Sequence, residues 1–262
     1  MDLSLIGNHA LVCGASQGIG RAAALELARL GASVTLLARD GDKLRAVLAE
    51  LDRTAGQGHA TLEVDMSVTE QLRAAMEALL AKHGPVHILV NNSGGPTPGL
   101  AHESAVNAFA GAFRQHLLAF QTMVLALVPG MKDAGHGRII NVISTSVKQP
   151  LPNLGVSNTV RGAVAQWSKT LASELGPFGI TVNNVLPGAT RTERLATIIR
   201  NRVAKTGQSE EEVAHEMTRE VPLRRFAEPW EIAAAIAFLA GPSAAYINGI
   251  NLPVDGGRTG CL

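Results

Sequence analysis

The 262-residue chain contains only two cysteines, Cys13 and Cys261, which lie far apart and outside any Cys-x-x-Cys spacing. We therefore expect neither a disulfide framework nor a zinc site, and we expect a reducing, cytoplasmic location. An excess of charge of one sign is also missing, because 23 Lys and Arg stand against 22 Asp and Glu, a formal net charge of +1. This balance argues against nucleic acid or an anionic membrane surface as partners.

Long uninterrupted apolar runs are missing as well. The longest, residues 117–131, contains Gln121 and Pro129 and is shorter than a membrane-spanning helix requires. The first residues lack the basic and then apolar pattern of a secretion signal. Hydrophobic residues nevertheless make up 46% of the chain and charged residues 17%, which predicts a large core. We expect a soluble cytoplasmic protein with no membrane partner and no metal site.

What the chain does contain is a regular alternation of short apolar strands and longer helical stretches. Strands are predicted near residues 9–12, 33–38, 60–64, 87–90, 138–143, 180–185 and 249–254. Helices are predicted at 21–30, 42–51, 69–82, 106–131, 157–174 and 230–239. This order is typical of a parallel sheet with helices on both faces and ligands at the carboxyl ends of the strands. The expected fold class is α/β, a single doubly wound Rossmann domain over residues 1–262.

The most informative motif lies between the first strand and the first helix, and it reads Cys-Gly-Ala-Ser-Gln-Gly-Ile-Gly. Glycine lacks Cβ, so backbone N–H groups can approach a diphosphate closely at the positive end of a helix. In this strand–turn–helix context the motif predicts a nucleotide site. Its residues assigned to cofactor binding are Gly14, Ser16, Gln17, Gly18, Ile19 and Gly20.

Further motifs follow in order along the chain. They are Asn-Asn-Ser-Gly at 91–94, Gly-Arg-Ile-Ile-Asn at 137–141, Pro-Gly at 187–188 with Thr192, and Val-Asp-Gly-Gly at 254–257. Over almost the whole chain, these motifs and the glycine turn resemble the classical short-chain dehydrogenase/reductase family, especially its 3-oxoacyl-carrier-protein-reductase-like branch. The resemblance implies an NAD(P)-dependent oxidoreductase that interconverts a carbonyl and an alcohol of a small-molecule substrate. It also implies self-association into a dimer or tetramer through the long helices that begin near Val106 and Ser157.

The resemblance implies cofactor contacts outside the glycine turn. Asp65 would lie beside the adenine, although a helix N-cap is an equally good interpretation of this residue. Asn91 would brace the central strand, and Thr192 would meet the nicotinamide carboxamide. The other positions assigned to cofactor binding are Met66, Asn92, Ser93, Gly94, Arg161, Pro187, Gly188 and Thr190.

The end of the second strand indicates which nicotinamide cofactor is bound. NAD-specific sites normally present a carboxylate there to the ribose hydroxyls, whereas this chain has Ala38 followed by Arg39. A guanidinium can bind a 2′-phosphate through charge-assisted, forked hydrogen bonds. NADP(H) is therefore favoured over NAD(H). Asp40 follows immediately, and the alternative for Arg39 is a solvated surface side chain.

The catalytic positions implied by the resemblance hold unusual residues. Family members carry Tyr-x-x-x-Lys on the helix after the fifth strand, and the corresponding residues here are Ser157 and Arg161. Ser144 lies thirteen residues before Ser157, which is the family's serine-to-tyrosine spacing, and His116 stands in place of the family's asparagine. No shift of register supplies the tyrosine, because the only tyrosine is Tyr246, in a C-terminal turn.

These replacements change the expected proton transfer. A serine hydroxyl is a weaker acid than a phenol, and arginine does not release a proton at physiological pH. His116 could donate the proton, because an imidazole titrates near neutrality, or it could be a packed, hydrogen-bonded residue. Ser144 and Ser157 could orient the carbonyl or hold a water, although Ser157 could instead cap its helix. A loop lysine, Lys148, is a further candidate, with solvation as its alternative.

Two classes of function remain open. An oxidoreductase with an altered proton relay is favoured, because every replaced position still holds a polar group. The alternative is a dinucleotide-binding protein that has lost reductase activity and acts as a sensor, scaffold or partner subunit. Mixed charges between Pro187 and Pro222 predict exposed helices with i,i+4 ion pairs, and the family implies that this segment, about residues 189–221, is a lid over the substrate.

Overall fold

The structure is a computed structural model, and it describes residues 1–261. Within them, parallel strands form one seven-stranded sheet in the order β3-β2-β1-β4-β5-β6-β7. The strands are β1 (His9–Cys13), β2 (Ser33–Ala38), β3 (Ala60–Glu63), β4 (Ile88–Asn91), β5 (Gly137–Val142), β6 (Ile180–Pro187) and β7 (Asn251–Val254). The strand order reverses between β1 and β4, which opens a crevice at the carboxyl ends of the strands. The predicted doubly wound α/β fold is confirmed.

Helices cover both faces of this sheet. In the described part of the chain they are α1 (Gly18–Arg29), α2 (Gly41–Glu50), α3 (Thr69–His83), α4 (Val106–Phe113), α5 (Ala119–Asp133), α6 (Gly155–Leu175), α7 (Glu193–Thr206), α8 (Glu210–Arg219) and α9 (Pro229–Ala240). One hydrophobic core lies beneath α1, α2 and α9, and the other beneath α3, α5 and α6. Strand β1 serves both cores, because Ala10 and Val12 point into the first and Leu11 and Cys13 into the second.

The long helix predicted at 106–131 is not continuous. A π-helical turn, Arg114–Leu118, separates α4 from α5. Such a turn inserts an extra residue into the helical repeat, and these turns often occur at functional sites. Here the turn carries His116, which is 1% exposed. The hydrophobic pattern on either side remains helical, so the sequence did not reveal the insertion.

The charged segment after β6 forms α7 and α8, as its composition predicts. Thr192 caps α7 by accepting a hydrogen bond from the backbone of Leu195 at 3.4 Å, and Ser209 begins α8 with a capping box. The predicted i,i+4 ion pairs are wrong. Arg202 pairs instead with Glu216, which joins the two helices. No helix in the described residues is long and apolar enough to cross a membrane.

Candidate active site

A cleft of about 1110 Å³ lies along the carboxyl edge of the sheet, where doubly wound folds bind their ligands. It extends from the turn after β1 to the loops after β5 and β6. Of the residues assigned from the sequence to the cofactor and to catalysis, all except Gly20 and His116 line it, and the further candidate Lys148 does not. The lining residues among them are Gly14, Ser16, Gln17, Gly18, Ile19, Arg39, Asp65, Met66, Asn92, Ser93, Gly94, Ser144, Ser157, Arg161, Pro187, Gly188, Thr190 and Thr192.

The glycine turn depends on residues that lack a Cβ. Gly14 and Gly18 adopt φ of 60° and 58°, values that residues with a Cβ rarely adopt. Gly20 acts from inside the turn, because a Cβ there would lie 2.2 Å from the carbonyl oxygen of Gly14. The side chain of Asn92 donates to the carbonyl of Cys13 at 3.1 Å and braces the turn from β4. The turn leads directly into the N-terminus of α1, where an anion is favoured.

The end of β2 presents two cations to the cleft. Arg39 has a side chain that is 77% exposed, with Nη1 3.8 Å from Asp65 Oδ2. Lys43, in the first turn of α2, also lines the cleft and was not among the predicted site residues. Asp40 caps α2, since its Oδ1 accepts from the Lys43 backbone at 3.0 Å and its Oδ2 lies 3.2 Å from Lys43 Nζ. The sequence did contain a signal for Lys43, because Asp40 is a residue type that caps helices and it lies three residues before the lysine.

Asp65 does not cap α3, so that interpretation is wrong. The residue at the N-cap position is Val68, which gives no side-chain cap. Asp65 Oδ1 instead accepts hydrogen bonds from the Ser67 hydroxyl at 2.7 Å and the Ser67 backbone at 2.9 Å. These bonds lower the pKa of Asp65, with a further contribution from Arg39. The result is an ionised carboxylate held at the rim of the cleft.

Ser144 and Ser157 both line the cleft. Ser144 follows β5 and caps a short 3₁₀ turn, where its Oγ accepts from the backbone of Ser146 at 3.1 Å. Ser157 is 7% exposed and lies inside α6, which begins at Gly155, so the interpretation of Ser157 as a helix cap is wrong. The two hydroxyls therefore come from different elements and border one volume.

Arg161 lies one turn after Ser157 on α6 and lines the same cleft. It is 8% exposed, and its Nη1 donates to the carbonyl of Val142 at 3.0 Å. Burial, and secondarily the charge of Arg194, lowers the pKa of Arg161 to about 10. The guanidinium therefore remains a cation at neutral pH and cannot serve as the acid.

His116 lies behind the cleft wall. Its Nδ1 is 2.6 Å from the hydroxyl of Ser93, which does line the cleft, and its ring packs edge-on against Phe120. Its Nε2 is buried without a hydrogen-bond partner in the described chain. Burial first, and then the charges of Arg161 and Arg194, lower the pKa of His116 to about 3. The expectation that this imidazole titrates near neutrality is wrong.

A row of asparagines supports the site from inside the sheet. Asn91, Asn141, Asn184 and Asn251 occupy matching positions on β4 to β7. Asn91 Nδ2 donates to Asn141 Oδ1 at 2.7 Å, and Asn184 Nδ2 donates to Asn251 Oδ1 at 2.8 Å. Asn141 also donates to Asn184 at 3.1 Å, so the row is continuous. Asn91 thus braces the central strand, as the family resemblance implies.

Helix α7 approaches the cleft from above and contacts both of its sides. A Cβ at Gly18 would lie 3.2 Å from the Thr192 methyl group, so the start of α7 lies close to the glycine turn. Arg194 donates to the carbonyl oxygens of Gly95 at 2.9 Å and Pro96 at 3.2 Å. The one tyrosine, Tyr246, is fully exposed and does not line the cleft.

Comparisons with known proteins agree with this architecture. A family model described as enoyl-(acyl carrier protein) reductase matches residues 14–259. The chain is 33% identical over 251 residues to the short-chain reductase protein NovJ of Streptomyces niveus, covering 95% of this chain and 93% of NovJ. It is 30% identical over 249 residues to the NADPH-dependent reductase BacG of Bacillus subtilis (strain 168), covering 95% and 96%.

Among solved structures, the L-sorbose reductase of Gluconobacter frateurii, complexed with NADPH and L-sorbose, is similar over 100% of both chains. The TM-score is 0.94 and the sequence identity is 31%. The chain belongs to the classical short-chain dehydrogenase/reductase family of oxidoreductases.

Proposed function

We propose that this protein is an NADP(H)-dependent oxidoreductase that interconverts a carbonyl and an alcohol of a small molecule. The observation that carries the proposal is that the glycine turn and the group Ser144, Ser157 and Arg161 border one cleft of about 1110 Å³. A dinucleotide held at one end can therefore meet a substrate at the other. NADPH in the L-sorbose reductase structure and the NADPH dependence of BacG support the same cofactor.

The residues at the end of β2 support NADP(H) rather than NAD(H). Arg39 and Lys43 place two cations beside the cleft, where the extra phosphate of NADP(H) would add two hydrogen-bonded ion pairs. The carboxylate that follows Arg39, Asp40, could instead accept from ribose hydroxyls, but its side chain caps α2. The glycine turn would hold the diphosphate, and Asp65 and Thr192 would bound the adenine and nicotinamide ends.

The nicotinamide, when bound, supplies or accepts the hydride. Ser144 and Ser157 donate hydrogen bonds to the substrate oxygen as negative charge develops there, which is the chemistry of an oxyanion site. Arg161 is a fixed cation for the nicotinamide ribose. Since Arg161 stays charged and His116 stays neutral, the oxygen takes its proton from water held between the two serines, and exchange with solvent replaces that proton. His116 is a positioning residue that acts through Ser93.

The segment 189–221, with α7 and α8, serves as the lid over this site in our proposal, and residues 1–262 act as one domain. We also infer self-association into a dimer or tetramer through α4, α5 and α6. Exposed apolar side chains on the first two helices support this: Val106 is 85% exposed and Leu125 is 67% exposed.

The experiment is a fluorescence titration with NADPH and NADH, followed by single-turnover oxidation of bound NADPH by a panel of ketones and keto acids. We expect NADPH to bind more tightly than NADH and to be oxidised by at least one compound. Tight NADPH binding with no oxidation across the panel would instead favour a dinucleotide-binding protein without reductase activity. Failure of both dinucleotides to bind would contradict both functions.

A further inference from the structure

Two arginines that line the same cleft as Ser144 and Ser157 have no acidic partner within residues 1–261. Arg161 is 8% exposed, yet within residues 1–261 its guanidinium makes a single hydrogen bond, to the Val142 carbonyl. A guanidinium has five N–H donors. A buried charge without a counter-ion is strongly unfavourable, so such a group usually has a partner. Within the described residues, no carboxylate lies within ion-pair distance of Arg161.

Arg194 is the second of these cations. It extends from the first turn of α7 across the cleft to the loop after β4, where both of its acceptors are neutral carbonyl oxygens. A Cβ at Gly95 would lie 2.6 Å from Nη2 of Arg194, so the glycine leaves room for the guanidinium. Arg194 lines the cleft and keeps contact with solvent, which leaves it accessible to a ligand.

Other charged side chains that line the same cleft are paired. Arg202 pairs with Glu216, and Arg258 pairs with Glu220 at 2.5 Å. Glu193, at the start of α7, also lines the cleft, and its carboxylate lies 2.6 Å from the guanidinium of Arg200, which balances its charge. At the far end of the cleft, Arg39 approaches Asp65 and Lys43 approaches Asp40. The excess positive charge is therefore local to Arg161 and Arg194.

The two guanidinium groups act on the same region. The charge of Arg194 contributes to lowering the pKa of Arg161, and both charges contribute to lowering the pKa of His116. In the proposed function, the diphosphate is bound at the glycine turn and the 2′-phosphate beside Arg39, and neither phosphate is assigned to the part of the cleft next to Ser144 and Ser157. An anionic group on the substrate would balance the charge of Arg161 and Arg194 in that part of the cleft.

We propose that the substrate carries a carboxylate, which Arg194 binds directly while Arg161 adds its field from the cleft wall. The planar fork of arginine matches a carboxylate in two parallel hydrogen bonds. This inference rests on the proposed oxidoreductase function and names its substrate class. Because Arg194 touches the anionic group and not the reacting carbonyl, its contribution belongs in KM and not in kcat.

The test compares keto acids with their own methyl esters, which differ in charge but keep the same carbonyl. Acetoacetate and levulinate are each paired with the methyl ester, and NADPH oxidation by the dinucleotide-loaded protein is measured. We expect kcat/KM to favour the acid over the ester by about 10- to 100-fold, the range for hydrogen bonds to charged groups. Arg194→Gln should remove that preference by raising KM for the acid, with little change for the ester.

Two further variants make the comparison specific. Arg194→Lys keeps the charge but loses the fork, so it should retain part of the acid preference. Lys205→Gln removes one positive charge from the same helix at an exposed position outside the cleft, and it should leave the preference unchanged. Thermal melts of each variant exclude loss of the fold as the cause.

The outcomes separate this inference from the proposed function. If esters are used as well as acids, or if Arg194→Gln lowers both equally, the carboxylate site is wrong and the oxidoreductase stands. If no compound oxidises NADPH, the proposed function fails, and the site is then tested by titrating malonate and malonamide into the NADPH complex. Malonate binding that is lost in Arg194→Gln supports the site, whereas equal binding of malonate and malonamide overturns it.

Discussion

The two ends of the cleft are built by different means. At the glycine turn, the ligand surface is backbone, and its shape depends on residues that lack a Cβ. At the serine end, the surface is made of side chains from β5, α6 and α7, and its charge is unbalanced. The first end keeps the pattern of the family, while the second carries serine and arginine where the family resemblance implies tyrosine and lysine.

The largest effect is expected from a substitution in the glycine turn. Gly20→Ala places a Cβ 2.2 Å from the Gly14 carbonyl oxygen, so the turn must open. We expect loss of detectable NADPH binding in a fluorescence titration, together with a destabilisation of about 1–3 kcal/mol, as for overpacking. Gly58→Ala is the control, since a Cβ there meets nothing within 4 Å. Unchanged NADPH affinity in Gly20→Ala would show that the turn does not form the dinucleotide site.

The second largest effect is expected from a substitution that changes only the serine end of the cleft. Ser157→Ala removes a hydroxyl that lines the cleft without disturbing the glycine turn. We expect the single-turnover rate to fall by about 10²–10³, the usual loss for one oxyanion donor, with NADPH affinity unchanged. Thr159→Ala serves as the control, because this exposed hydroxyl on the same helix bonds only to the Gly155 carbonyl. An undiminished rate in Ser157→Ala would remove Ser157 from the catalytic group.

A smaller effect sharpens the cofactor assignment. Arg39→Ala should reduce the preference for NADPH over NADH by about 10- to 100-fold, because one charge-assisted contact to the 2′-phosphate is lost. NADH affinity, measured in the same titration, should stay constant and is the internal control. Lys43→Ala should act in the same direction. If both variants discriminate as the wild type does, the phosphate contacts lie elsewhere.

The smallest effect concerns stability and pH. The pKa of His116 falls from 6.5 to about 3 on folding. Below pH 6.5, the unfolded chain therefore binds a proton at His116, whereas the native state leaves this ring neutral. Stability is therefore full above pH 6.5 and decreases as the pH falls towards 3. Between pH 7 and pH 5 the loss from this residue is roughly 2 kcal/mol.

His116→Asn should remove that part of the loss, as measured by urea unfolding at pH 7 and pH 5. His9, whose pKa burial lowers to about 4, contributes in the same direction and remains in the variant. The decrease in stability should therefore become smaller without disappearing. An identical decrease in variant and wild type would mean that His116 is not buried as a neutral ring.

Some of this site could be predicted from the sequence because the relevant chemistry is local. Gly14, Gly18 and Gly20 carry their meaning in the strand–turn–helix order, and the cleft does form there. Arg39 follows directly from its place after β2. Lys43 was missed because its role depends on how the cap at Asp40 orients the first turn of α2.

Other features could not be predicted because they depend on what packs nearby. A free imidazole titrates near neutral pH, but the π-helical turn buries His116. Burial, and then the charges of two arginines from other elements, lower its pKa and keep the ring neutral. Serine is a residue type that often caps helices, yet α6 begins at Gly155, two residues before Ser157. The residues next to His116 in the sequence do not show that it is buried. The residues next to Ser157 do not show where the preceding loop ends and α6 begins.

The sequence by itself determined the order of strands and helices, the glycine turn and the cation after β2, because periodicity, missing side chains and position in the chain are properties of neighbouring residues. Only the tertiary structure decided the charge state of His116 and the unbalanced charge of Arg161 and Arg194. Those properties come from solvent exclusion and from Coulomb interactions between residues far apart in the chain, and both exist only once the helices have packed on the sheet.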